Sequence, residues 1–164
     1  MVNFLFHAPA NSQSAYAEGL ELALQHTLTW LPWPFDGLGF NANATFMHSN
    51  ALLNAANTTN TFALTGLGNS QNFIVFYEKG PVGVRFAYNY RDAFLSGTAP
   101  IEHTKAYGQL DGQASYKVMD NVLVTFAVAN ITNAVQQQYD RYVNEFDLLN
   151  QFGRRYSAGV RVNF

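Results

Sequence analysis

Apolar and polar side chains alternate with a period of two along most of this 164-residue chain. Between Leu20 and Trp30, most even positions carry large apolar residues and the odd positions carry small or polar ones. Because successive side chains of a β-strand point to opposite faces, the pattern predicts strands with one apolar and one polar face. The alternation recurs at 38–46, 82–91, 109–116, 122–128 and 155–164.

The alternation predicts an all-β fold, a single domain over residues 1–164 built as an antiparallel up-and-down meander of about eight strands. Most clear runs have about the nine to eleven residues that a tilted strand needs to cross a bilayer core. The run at 72–79 is apolar on both faces and is the least regular of the set. The predicted strands span residues 1–7, 16–31, 37–48, 71–79, 82–92, 105–118, 121–130 and 153–164.

The amino-acid composition excludes several classes of protein. Charged residues make up 12% of the chain and aromatic residues 15%, whereas a soluble domain usually carries about 25% charged residues. The net charge of −2 gives no basis for nucleic-acid binding. There is no cysteine, which excludes a disulfide framework and a thiolate metal site.

The lengths of the links between strands also alternate. Three links are short, near Leu31–Asp36, Lys79–Pro81 and Met119–Asn121, and the intervening links at 8–15, 49–71, 93–105 and 131–152 are predicted as long polar loops. Tight turns at one end and long loops at the other are typical of outer-membrane β-barrels. A soluble sandwich or lipocalin-like binder shares the alternation but has no reason to segregate its loops by length, so the pattern favours transmembrane β-strands.

Four segments resemble the C-terminal barrel of TonB-dependent outer-membrane receptors. They are GLELALQHTLTWLPWPFDGLGFNANATF (19–46), FYEKGPVGVRFAYNYRD (76–92), VLVTFAVANITN (122–133) and FGRRYSAGVRVNF (152–164). The resemblance implies a piece of a 22-stranded barrel wall in the outer membrane of a Gram-negative bacterium. Isolated, such a piece is expected to form an open curved sheet or a small closed barrel.

The same resemblance implies the partners. They are outer-membrane lipid, the barrel assembly machinery, and the remainder of the receptor barrel with its plug domain. The chain shows no plug, TonB box or signal peptide, so contact with TonB is expected only through the missing plug, and the chain alone is expected to be inactive. The imported nutrient would be bulky, such as an iron chelate, cobalamin or an oligosaccharide. The alternative reading is a free-standing eight-stranded outer-membrane barrel with a structural or adhesive role.

Two sets of residues are the candidates for function. Charged and amide side chains with the parity of the polar face are predicted to face the lumen, where they line the interior or contact an anionic ligand: Arg85, Asn89, Arg91, Asp111, Gln113, Arg155 and Arg161. Apolar residues at every second position near the C-terminus form a predicted assembly signal: Tyr156, Val160, Val162 and Phe164.

No motif indicates an enzyme, a cofactor or a metal. His103 beside Glu102 falls in a predicted loop with no second ligand at metal spacing, and it is interpreted as a solvated pair. His26 has the parity of the apolar face and receives no functional interpretation. No serine, histidine and aspartate spacing matches a known nucleophile motif.

Overall fold

A computed structural model describes residues 14–51, 53 and 63–163 of the chain, and these residues form two antiparallel sheets. A single-turn 3-10 helix covers Phe35–Gly37. In the described part of the chain, no helix is long and apolar enough to cross a membrane. The strands are β1 (Ala17–Thr27), β2 (Leu38–Ser49), β3 (Ser70–Lys79), β4 (Val82–Arg91), β5 (Phe94–Thr98), β6 (Ile101–Thr104), β7 (Tyr107–Met119), β8 (Val122–Ala129), β9 (Gln136–Tyr139), β10 (Phe146–Asn150) and β11 (Arg155–Val162).

The main sheet has seven strands in the order β1-β2-β3-β4-β7-β8-β11. The strands follow one another in the sheet in the same order as in the chain, and each pairs antiparallel with its neighbours, so the sheet is an antiparallel meander. The predicted all-β fold class is confirmed. Seven of the eight predicted spans correspond to these strands, and the span 1–7 lies outside the described residues. The first described strand is shorter than predicted and ends at Thr27 rather than residue 31, ahead of Pro32 and Pro34. The described strands do not close into a barrel, since β1 and β11 are not paired with each other.

The register of the main sheet separates an apolar face from a polar face. Leu24 pairs with Ala42, Ala42 with Phe73, and Phe73 with Tyr88, all on the apolar face. Directly opposite residues of an antiparallel pair point to the same side, so each pairing carries the face on to the next strand. The apolar face thus continues across all seven strands through Leu22, Phe40, Val75, Phe86, Phe126 and Val160.

The apolar face has no second layer of described residues packed on it. Leu24 is 60% exposed and Val160 67% exposed. The buried apolar side chains of the described part are Ala51 and Ile101, and neither belongs to the main sheet. Seven strands at a spacing of ~4.8 Å make a sheet roughly 30 Å across, so the uncovered surface is far larger than an ordinary soluble protein exposes.

Side-chain bonds hold the first short turn against β3. The Tyr77 hydroxyl donates to the Pro34 carbonyl at 3.1 Å, and Lys79 forms an ion pair with Asp36. A Cβ atom on Gly37 would lie 2.6 Å from the Glu78 carbonyl oxygen, so the close approach of turn and strand requires glycine there. The turn presents both tryptophans of the chain, Trp30 and Trp33, to the exterior.

The prediction that residues 93–105 and 131–152 are loops is wrong. Four of their segments, β5, β6, β9 and β10, form the second sheet, in the order β10-β9-β6-β5. The physical reason is that two links from the same end of the main sheet supply backbone donors and acceptors to each other, for example between His103 and Tyr139. Such pairing between distant segments leaves little trace in the periodicity of either one. The short–long alternation of link lengths itself agrees with the structure.

Gly39 offers a test of how closely the strands of the main sheet pack. The Phe76 ring on β3 lies over this buried glycine, and a Cβ atom there would come within 2.7 Å of ring atom Cε2 and 3.0 Å of the His26 carbonyl oxygen. We expect Gly39→Ala to destabilise the folded protein by about 1–3 kcal/mol through this overpacking. The measurement is the urea midpoint of unfolding in detergent micelles.

Gly159→Ala is the matched control for this substitution. A Cβ atom at Gly159 would meet Thr125 Oγ1 at 3.2 Å and no other atom within 4 Å. Its unfolding midpoint should change little, because one hydroxyl can move aside. Equal losses in the two variants would show that the loss does not come from the Phe76 contact.

Candidate functional site

The polar face of the main sheet contains a cavity of about 470 Å³, which we call the polar-face cavity. It brings together Arg85, Asp111, Gln113 and Arg155, four of the seven residues predicted to face a lumen. These side chains belong to β4, β7 and β11, and β8, which lies between β7 and β11, adds Ala127 and Ala129 to the lining. A volume of this size lies within the usual range of ligand pockets, about 300–1,000 Å³.

Register explains why these residues share one cavity. Arg85 on β4 lies opposite Gln113 on β7, which lies opposite Ala127 on β8, which lies opposite Ser157 on β11. The adjacent row on the same face includes the pair of Ala129 with Arg155. Small side chains at the middle positions leave space between the two arginines, so the cavity follows from residue size as well as from strand pairing.

Hydrogen bonds hold the Asp111 carboxylate toward the link that follows β8. Its Oδ1 atom accepts from Gln109 Nε2 at 2.7 Å and from the Asn130 backbone N–H at 2.8 Å. The Tyr107 hydroxyl donates in turn to Gln109 Oε1. The carboxylate is therefore fixed by neutral donors and forms no ion pair with an arginine in the described part of the chain.

Asn130 is the centre of the polar connections at the cavity's edge. It is 3% exposed and has a positive φ of 59°, a conformation that asparagine tolerates better than most residues. Its side-chain amide donates to the carbonyls of Ala134 and Gly153, each at 3.1 Å, and its oxygen accepts from the Ala134 N–H at 2.7 Å. These bonds tie the start of the β8–β11 link to its end, next to Arg155.

The other candidate residues lie outside the cavity. Arg91 is occupied, because its Nη2 donates to the Gly66 carbonyl and its guanidinium lies 3.9 Å from the centre of the Phe94 ring. Asn89 pairs with Asn72 and Arg161 with Leu123, both elsewhere on the polar face. Whether this face lines a lumen stays a prediction.

Three residues of the predicted assembly signal lie on the apolar face. Tyr156, Val160 and Val162 pair with Val128, Val124 and Val122 of β8, and Phe164 lies outside the described residues. All three are exposed, as expected of side chains with no protein layer above them. Their role in assembly stays a prediction.

The second sheet contains an arrangement that the sequence did not reveal. His103 stacks on Tyr139 with ring centres 4.9 Å apart and an interplanar angle of 7°, and its Nδ1 lies 3.2 Å from the Asp140 carbonyl oxygen. The interpretation of His103 with Glu102 as a solvated loop pair is therefore wrong for the histidine, which is part-buried in a strand. Both rings line an apolar cavity of about 350 Å³ beside Phe94 and Leu95.

Sequence reasoning also missed Asn130. The available signal was an asparagine directly after a strand, since asparagine favours turns and left-handed backbone. No comparable local signal marks Tyr139, because its partner His103 is 36 residues away in the chain and meets it only through the pairing of β6 with β9.

Within the described ranges, no three histidine, cysteine, aspartate or glutamate side chains cluster closely enough to hold a metal ion. Comparison with known proteins gave no match to a family model, a curated protein or a solved structure.

The Asn130 bonds lead to a test of what supports the cavity's edge. We expect Asn130→Ala to lower the free energy of unfolding by about 2–4 kcal/mol, because it removes three side-chain hydrogen bonds at a buried position. Thermal and urea unfolding in micelles would measure the loss.

Asn133→Ala is the control, since Asn133 has a similar positive φ of 53° but no described side-chain hydrogen bond. The Asn133→Ala variant measures only the loss in free energy of unfolding caused by alanine in a left-handed conformation, roughly 1 kcal/mol. If the two variants lost equal stability, the side-chain bonds of Asn130 would not be the stabilising element.

Proposed function

We propose that this chain is barrel wall of a TonB-dependent outer-membrane receptor that imports a bulky nutrient such as an iron chelate, cobalamin or an oligosaccharide. The observation that carries the membrane part of the proposal is the apolar face that continues over seven strands with no described layer upon it. Water does not stabilise such a surface, whereas the hydrocarbon interior of a bilayer does. The proposed location is the outer membrane, where β-barrels of this kind occur.

Two further features support a membrane wall. The polar face carries charged side chains such as Arg85 and Asp111, which suits a water-filled or plugged interior. The exposed tryptophans lie in a turn at the short-link end, where aromatic side chains suit a membrane–water interface.

The receptor part of the proposal depends on the resemblance of four segments, described above, and on the open form of the sheet. A wall segment of a large barrel would pair along both outer strands with the remainder of the barrel. In the described residues, β1 and β11 each have one unpaired edge. The proposed partners are therefore outer-membrane lipid, the assembly machinery, the rest of the barrel and its plug, through which TonB would act.

Adding a charge to the apolar face tests whether lipid covers it. Phe86 lies in the middle of β4 on this face and is 48% exposed. We expect Phe86→Arg to disfavour folding into lipid vesicles by about 2–4 kcal/mol, the cost of an arginine near the midplane of a bilayer. Folding can be followed by the emission of Trp30 and Trp33, which should shift to shorter wavelength and be quenched by brominated lipid upon insertion.

Ala87→Arg is the matched control, because it places the same charge one residue further on, toward the polar face. It should insert almost as well as the unsubstituted protein. Equal loss in both variants, or tryptophan emission typical of water in every case, would contradict the membrane assignment.

A distance measurement separates the receptor wall from its alternative, a free-standing eight-stranded barrel. In a small closed barrel one strand would lie between β1 and β11, which places them about 10 Å apart, whereas the open sheet separates them by six strand spacings, about 29 Å along the sheet. Because the chain has no native cysteine, spin labels at Gln25→Cys and Ser157→Cys would be specific. We expect a distance above about 20 Å in micelles by double electron–electron resonance.

Labels at Gln113→Cys and Ser157→Cys supply the reference distance, because these positions are two strand spacings apart within the described sheet. A β1–β11 distance equal to this reference would favour the small barrel and oppose the receptor wall.

A further inference from the structure

Arg85 and Arg155 have no described acceptor, which they share with Arg161 on the same face, and they are the two arginines that line the polar-face cavity. Arg91 donates to the Gly66 carbonyl, and Arg154 donates from Nε to the Ile131 carbonyl at 2.8 Å. Lys79 and Lys117 are paired with Asp36 and Asp120. Within the residues that the structure describes, Arg85 and Arg155 both line the polar-face cavity and neither has a hydrogen-bond or ion-pair partner, and Arg85 also borders a smaller cavity lined by Glu78.

The one acidic side chain that lines the polar-face cavity does not neutralise them. Asp111 accepts two hydrogen bonds through Oδ1 from Gln109 and the Asn130 backbone, which hold it toward the β8–β11 link. With two guanidinium groups and one carboxylate, the cavity has a formal charge of +1. Gln113, which is opposite Arg85, and Ser157, which follows Arg155 by two residues on β11, add neutral polar groups to the lining.

The spacing of the two arginines indicates the size of the group that would bridge them. Arg85 and Arg155 belong to strands three positions apart in the sheet, about 14 Å at the usual strand spacing, and Arg155 lies two residues along β11 from Ser157, which is level with Arg85. The small residues Ala87, Ala127 and Ala129 line the cavity together with the two arginines. A single carboxylate would engage one guanidinium, whereas a molecule with two carboxylates could engage both.

We propose that the polar-face cavity is a binding site for a dicarboxylate solute, with Arg85 and Arg155 each holding one carboxylate. Guanidinium and carboxylate groups form paired, charge-assisted hydrogen bonds, which are stronger than bonds between neutral groups. Ser157 and Gln113 provide hydrogen-bonding groups for the middle of the solute. The proposal goes beyond the receptor function and is argued only from the residues that line the cavity.

The first test compares two anions on the unsubstituted protein. The full chain, folded in neutral detergent micelles at low salt, is titrated with glutarate and with acetate by calorimetry. We expect glutarate to bind at least about tenfold more tightly than acetate, because it engages a second arginine. Equal affinities would overturn the proposal, and this comparison needs no variant.

The second test assigns the site to the two arginines. Arg85→Gln and Arg155→Gln should each reduce glutarate affinity to the level of acetate, and Arg161→Gln should leave it unchanged. Arg161 is the matched control because it has the same charge on the same face but does not line the cavity. A loss of affinity in Arg161→Gln as large as in the other two variants would mean that the anion responds to the general charge of the face, and would overturn the proposal.

Discussion

The uncovered apolar face is the constraint on which the rest of this structure depends. A sheet normally buries one face against another layer, and here seven strands present a continuous apolar surface, with Leu24, Phe86 and Val160 exposed. Hydrogen-bonded ladders satisfy the backbone between neighbouring strands, apart from the outer edges of β1 and β11, but no described layer covers the side chains of this face. Their environment must therefore supply the apolar contact, and this requirement leads to the proposal of a lipid-facing wall.

Because no described layer covers the main sheet, contacts within the sheet itself must define how its strands pack. Large side chains lie over glycines of neighbouring strands, as Phe76 does over Gly39 and Phe86 does beside Gly112. At the turns, bonds such as Tyr77 to Pro34 replace the packing that a second layer would provide. Register is fixed because a slip by one residue would exchange the apolar and polar faces.

The strand register that separates the two faces also forms the polar-face cavity. Pairing across four strands brings Arg85, Gln113 and Arg155 around small residues, and Asn130 fixes the adjoining link. The charged groups need no ion pair to be stable there, because this face is open to water or to a polar filling. The guanidinium groups of Arg85 and Arg155 have no described partner in the cavity, and this is the basis for proposing a ligand there.

The sequence by itself determined the strands of the main sheet, their order and the division of that sheet into two faces, because a period of two is a local property that does not require a core. It also placed Arg85 and Arg155 on one face. Only the tertiary structure decided which candidates meet, that Arg91 is occupied by Gly66 and Phe94, and that the long links pair as a second sheet. Those outcomes depend on contacts between residues distant in the chain, such as His103 with Tyr139, and neither segment alone carries their pattern.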